Sequence, residues 1–224
     1  MEFKAFAKDV VLFCHVTTRV PEDPYQDLLR AIGGKYYPTL VFMDGMGKVV
    51  GKVDIFDELT VPKFRAAHEK TKRRLALIGK EEPGDAERIE LFLLDGALGM
   101  LEFDEAKERA GKLGKLEGDA AKEVAAVVTN LEVADHLDPR PSGLDAVKEV
   151  GRAFHEMAKA GRVPTTSRLL GGFWTYMFAW AEAEKDVEAA RWIVGEVRKL
   201  ARTDESAKGY LKRMEERLKA LQPK

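Results

Sequence analysis

Residues 35–50 read KYYPTLVFMDGMGKVV, and the fold reading starts from them. Thr39–Met43 is a short apolar run rich in strand-forming residues. Asp44-Gly45-Met46-Gly47 is a turn, and Lys48–Val53 returns as a second strand, which together spell a β-hairpin. Upstream, VVLFCHV (10–16) is apolar on both alternate faces, with Leu12, Cys14 and Val16 on one and Val11, Phe13 and His15 on the other. That pattern suits a parallel strand covered from both sides. After the turn-rich TTRVPEDP, Asp23 before Pro24 makes a helix start. The helix YQDLLRAI carries Tyr25, Leu28, Leu29 and Ile32 on one face and ends at Gly33-Gly34. Downstream of the hairpin, 61–78 reads as a helix with Pro62 early and Phe64, Ala67, Leu75 and Ile78 as its expected buried positions. Its basic cluster KTKRR (70–74) reads as a solvated face.

At Glu81-Glu82-Pro83-Gly84 the strand signals stop. Amphipathic helices follow at roughly 87–101, 103–116, 119–137, 144–160, 166–183, 187–202 and 206–221. Val147, Val150, Gly151, Phe154 and Met157 make one apolar stripe, and Ala190, Ile193, Val194, Val197 and Leu200 another. A further break falls at Pro139-Arg140-Pro141-Ser142-Gly143. The expected fold class is α/β plus all-α, with a sheet domain over 1–80 and a helical domain over 84–224.

Composition narrows the function classes. The 37 Lys and Arg balance 38 Asp and Glu, which argues against a nucleic-acid binder with a basic face. No run reaches the roughly 18 apolar residues of a membrane span. MEFKAFAKD has no basic segment leading into an apolar one, so it does not read as a secretory signal. One cysteine excludes an internal disulfide framework and a cysteine-based zinc site. The chain reads as soluble and cytoplasmic, with the reservation that a segment upstream of Met1 would carry any signal.

Val10–Val53 resembles the second half of a thioredoxin-like domain. In that family a strand leads through a helix to a turn of the form Tyr/Phe/Ile-Pro-Thr and then to the closing β-hairpin. Tyr37-Pro38-Thr39 matches the turn, Leu40–Met43 the first hairpin strand and Gly47–Val50 the start of the second, while 61–78 matches the last helix. The likeness covers about a third of the chain. It implies a cis bond before Pro38, which in the family lies opposite the catalytic CxxC. It also implies a peptide-binding edge at Tyr37, Pro38 and Thr39, where the backbone of Tyr37 would pair with an extended peptide. The alternative is that Pro38 only shapes the turn and a tyrosine fills the core.

The redox centre does not carry over. In the family the CxxC follows a central strand that precedes the one matched by Val10–Val16, and only nine residues stand before Val10. Cys14, mid-strand, reads as a buried small hydrophobe. A lost central strand would leave unpaired backbone on its two neighbours. Three outcomes are open: the two strands pair directly, a second subunit completes the sheet as a homodimer, or Met1 is not the natural start.

In the helical part, LLDGALGMLEFDEAKERAGKLGKL (93–116) and AWAEAEKDVEAARWIVGEVRKLA (179–201) resemble tetratricopeptide-type helical hairpins. Ala97 and Ala106, and then Asp186 and Ala189, are the small residues and turn expected at the crossings. A generic helical bundle fits nearly as well. Between the two lies GGFWTYMFAW (171–180), where Phe173, Trp174, Met177 and Phe178 share one arc. They read either as a helix buried between neighbours or as an aromatic groove for a peptide or partner helix.

Other chemistry finds little support. His15, His68, His136 and His155 lack metal-ligand spacing and read as surface or capping residues. There is no phosphate loop of the Walker type and no GxSxG elbow. The resulting expectation is a redox-inactive thioredoxin-like protein that binds a protein or peptide, without cofactor or metal and with no catalytic residues. The alternatives are a thiol-disulfide oxidoreductase whose CxxC lies upstream or on a partner chain, and a dimerisation scaffold.

Overall fold

The computed structural model describes residues 2–11, 27–34, 38–54, 60–202 and 206–221. Helix accounts for 68% of these, so the single two-stranded antiparallel sheet is a minor element within a helical protein. The chain divides into two compact units, Met1–Glu102 with Glu108–Lys115, and Phe103–Lys107 with Leu116–Lys224. The Glu81–Gly84 turn, where the sequence changes period, lies inside the first unit.

The first unit holds α1 (Glu2–Phe6), α2 (Leu28–Ala31), β1 (Leu40–Met43), β2 (Val49–Val53), α3 (Val61–Ile78) and α4 (Asp85–Ala97). The residues of α5 (Phe103–Lys112) are shared between the units. The hairpin turn is built by Asp44, whose Oδ1 accepts the backbone N–H groups of Met46 and Lys48, both at 2.9 Å. Such an Asx arrangement satisfies turn amides locally and fixes the register. Leu40 faces Val53, Val41 faces Lys52 and Phe42 faces Gly51, with an irregularity before the Met43–Val49 pair.

Helix α3 covers the hairpin at a distance set by Gly51. A Cβ at that position would lie 2.4 Å from Oγ1 of Thr71, closer than any real Cβ contact. Thr71 is buried and disposes of its hydroxyl by donating to the Ala67 carbonyl at 2.8 Å. Toward the N-terminal end of α3, His68 stacks on Phe42 with ring centroids 5.5 Å apart and meets the edge of Phe6 at 5.7 Å. The buried face of α3 therefore differs from the expected one. Phe64 and Ala67 are half-buried, but Leu75 and Ile78 are 43% and 50% exposed, and the interior positions are Thr71 and Leu77. The apolar pattern misleads because the helix must approach a glycine and hold an ion pair, and both requirements select non-aliphatic residues.

That ion pair centres on Asp95 of α4. Its carboxylate pairs with Nε of Arg74 through Oδ1 and with Arg109 through Oδ2 at 2.6 Å. Arg74 also reaches the Val50 carbonyl of β2 at 3.4 Å. Within KTKRR, Lys70, Lys72 and Arg73 are exposed as expected, whereas Thr71 and Arg74 turn inward. On the far edge of β2, the Lys52 N–H donates to the Leu98 carbonyl at 3.0 Å, so the end of α4 takes up a strand amide. Leu98 is buried where the sequence reading placed Ala97, which is exposed.

The second unit holds α6 (Gly118–His136), α7 (Leu144–Lys159), α8 (Ser167–Ala183), α9 (Val187–Leu200) and α10 (Ser206–Leu221). Helix α8 is central, with α6, α7, α9 and α10 all against it. Its apolar residues cover most of the circumference, with Arg168, Thr175 and Glu182 along the remaining side, which accounts for this position. A Cβ at Gly151 would lie 2.3 Å from the Tyr176 carbonyl oxygen and 2.5 Å from Cβ of Trp180, so α7 meets α8 backbone to backbone there. The core between them includes Phe154, Met157, Phe173, Met177, Phe178, Ile193 and Val197. The Val163–Thr166 approach to α8 is tied down by Asn130 of α6, which exchanges hydrogen bonds with the Thr165 hydroxyl and backbone N–H at 2.9 and 2.8 Å. Among the described residues no helix is long and apolar enough to cross a membrane.

Candidate functional site

Of the residues expected at a peptide-binding edge, Tyr37 and its bond to Pro38 lie outside the described residues, as do Cys14 and His15. Pro38 is exposed and Thr39 half-buried, immediately ahead of β1. The four residues expected to line a partner groove are placed inside the second unit instead. Phe173, Met177 and Phe178 are fully buried and Trp174 is 4% exposed. Phe173 lies against Phe154 at 4.9 Å and edge-on to Trp174 at 5.3 Å. Helices on several sides of α8 consume its aromatic arc, and among the described residues these side chains line no surface groove.

The surface feature with chemical content lies between α7 and the start of α9. Both helices pack on α8, and small residues, Ala158 on α7 and Ala189 on α9, sit where larger ones would close the space between them. An open hollow of 560 Å³ remains, lined by His155, Ala158, Lys159, Asp186, Glu188, Ala189 and Trp192. Ligand sites commonly span about 300–1,000 Å³, so the hollow has room for a side chain of any size. The position of α9 is fixed by Asp186, whose Oδ1 caps the helix through the Ala189 N–H at 2.9 Å.

His155 forms the inner wall. The residue is 6% exposed, and its ring lies on Trp180 at 4.6 Å and against the edge of Trp192 at 5.4 Å. Its Nδ1 is 3.8 Å from Oε1 of Glu156, and among the described residues the imidazole makes no hydrogen bond. Burial holds its pKa below the ordinary histidine value, Lys159 adds to that, and Glu156 and Asp186 oppose it. The ring is therefore neutral at pH 7 and offers one N–H and one lone pair. Above it Trp192 is 37% exposed, an unusual amount of indole to leave in water at the rim of a hollow. Lys159 is paired with Glu156 at 3.9 Å. Glu188 has no ion-pair partner among the described residues.

The expected surface or capping role is thus corrected for His155, while His136 stands half-buried in the last turn of α6. His155 is buried, His68 lies between two phenylalanine rings, and His136 meets the edge of Phe154 at 5.6 Å. One signal for His155 was present in the sequence: Gly151, His155 and Ala158 fall on the same face of α7 at helical spacing. Its approach to Trp192 carried no such signal.

Another hollow, of 260 Å³ along α7, is lined by Asp145, Lys148, Glu149 and Arg152. Lys148 there is already paired with Glu184 at 2.6 Å. Among the described residues no group of three or more His, Cys, Asp or Glu is placed to hold a metal ion. No family model, curated protein or solved structure matches the chain.

Proposed function

We propose that the chain is a protein- or peptide-binding module, with a thioredoxin-like part over 1–80 that does no dithiol chemistry and a tetratricopeptide-like helical part over 84–224. A single cysteine cannot close an intramolecular disulfide. The β1–β2 hairpin behind Pro38-Thr39, crossed by α3, is what the first likeness asks for. The α8–α9 hairpin, with Asp186 at its turn and Ala189 and Ala190 buried at the contact, supports the second.

The observation that carries the binding reading is the half-open Trp192 above a buried imidazole that has no hydrogen bond among the described residues. Binding energy in protein interfaces concentrates on aromatic anchors seated beside desolvated pockets. The strand edge beginning at Pro38 is a second contact surface in this reading. Peptides selected from a display library against the whole chain should lose affinity about tenfold or more for Trp192→Ala, a typical effect of truncating an anchor. Selection of peptides that bind both proteins equally would remove the hollow as the binding site.

A further inference from the structure

We propose that the hollow between α7 and α9 seats an arginine side chain of the bound peptide, with the guanidinium over Trp192 and paired with Glu188 and Asp186. This rests on the peptide-binding reading above and names the chemistry of its anchor.

Charge decides the sign of the occupant. Lys159 is the cation at the rim, and it stands 3.9 Å from the Glu156 carboxylate on its own helix. Among the described residues Glu188 has no ion-pair partner, and Asp186 commits only Oδ1, to the α9 amide, which leaves Oδ2 available. Two carboxylates without a cationic partner among the described residues, beside a neutral imidazole, repel an anion and attract a cation. Burial decides against a purely apolar occupant. His155 is more than nine-tenths buried, faces the hollow and has no hydrogen bond among the described residues, so an aliphatic group above it would strand its polar atoms.

Shape then favours guanidinium over ammonium. The guanidinium is planar, weakly hydrated and carries five donors. It can lie on an indole face while its edge donates to carboxylates and to the lone pair of the imidazole. An ammonium would lose more hydration and could not stack. Nothing need be displaced to admit the side chain, since Trp192 and Glu188 stand one helical turn apart on the same side of α9.

The test uses the whole chain and a set of short Gly/Ser-flanked peptides differing only in a central arginine, lysine, citrulline, leucine or glutamate. Calorimetry gives the affinities. The indole N–H resonance of Trp192, assigned with Trp192→Phe, reports the site. The arginine peptide should bind tightest and move that resonance. Citrulline, which keeps the shape without the charge, should bind about tenfold more weakly, the scale of a charge-assisted hydrogen bond. Glu188→Gln, at an exposed position that does not endanger folding, should narrow the gap between arginine and citrulline. Leucine or citrulline binding as well as arginine, with the same resonance moving, would overturn the cation seat and leave the peptide-binding reading standing. Tightest binding of glutamate would overturn the charge argument in the same way. If no peptide moves Trp192 at millimolar concentration, the seat is overturned. If display against the whole chain yields no binding peptide at all, the binding reading falls with it.

Discussion

The two units hold their central elements in opposite ways. In the first, the positions where β2, α3 and α4 meet carry Gly51, Thr71 and Asp95, and the junction is fastened by guanidinium groups on one carboxylate. In the second, the elements around α8 meet through Phe154, Phe173, Met177, Phe178 and Ile193. The contrast follows from available area. A four-residue strand paired with a five-residue one exposes too little apolar surface to fix the register of a covering helix by burial alone. An ion cluster adds little net stability, but it penalises misplacement heavily because a shifted helix strands a buried charge. The aromatic core gains its stability from area and fixes geometry by shape.

The largest expected effect breaks the aromatic side. Phe178 is fully buried, with the Arg217 guanidinium 5.3 Å from its ring centroid. Phe178→Ala should cost about 3–5 kcal/mol, the usual range for emptying an aromatic core site. Hydrogen exchange should show protection lost from α7 to α10 while the β1–β2 amides keep theirs. Loss of hairpin protection in step with the helices would show that the units do not rest on separate supports.

The ionic side should yield less. Asp95→Asn keeps the shape and removes the charge facing Arg74 and Arg109. Breaking a wholly buried pair costs about 3–5 kcal/mol, and here about 2 kcal/mol is expected because water screens part of the interaction. The side chains of Arg74 and Arg109 retain 15% and 30% of their exposure. Urea unfolding followed by exchange at the β2 amides measures it. A sharper form replaces all three charges by Leu or Met, which should recover part of the loss. If Asp95→Asn is silent, the cluster is surface decoration and area alone holds the first unit.

Sequence patterns reached the elements and fell short of the contacts. The hairpin turn, α3 and the five helices after Gly118 were legible because periodicity, Asp44 and the Gly/Pro punctuation act within a few residues of each other. The wrong face of α3 had a physical cause: Leu75 and Ile78 looked buried only because Thr71 and Arg74 looked polar. Nothing local marks Asp95 among 38 acids as the buried one, since its partners stand 21 and 14 positions away. The aromatic arc of α8 was visible, but whether it faced neighbours or solvent depended on how many helices surround it. The hollow is the furthest from view. It exists because α7 and α9 both lie on α8 with alanines at the gap, and its two rings are 37 residues apart in the chain.

The smallest effect probes a buried titrating group of the aromatic unit. His155 is packed by Trp180 and Trp192, with Glu156 and Lys159 on its own helix and Asp186 at the start of α9 as the charged groups around it. Its folded pKa is depressed, with burial as the leading cause and Lys159 second. The unfolded chain, with a histidine pKa of about 6.5, therefore takes up the proton first as pH falls. Below that point the unfolded state binds more protons than the folded one, so stability declines with acid; above it the contribution is fully present. The stability difference between the native chain and His155→Gln should accordingly shrink as pH is lowered from about 7.5 to about 5. Denaturation midpoints of the two proteins across that range give the comparison. Parallel curves would mean that the imidazole is protonated as easily in the fold as outside it. The low-polarity wall argued for the hollow would then have to be abandoned.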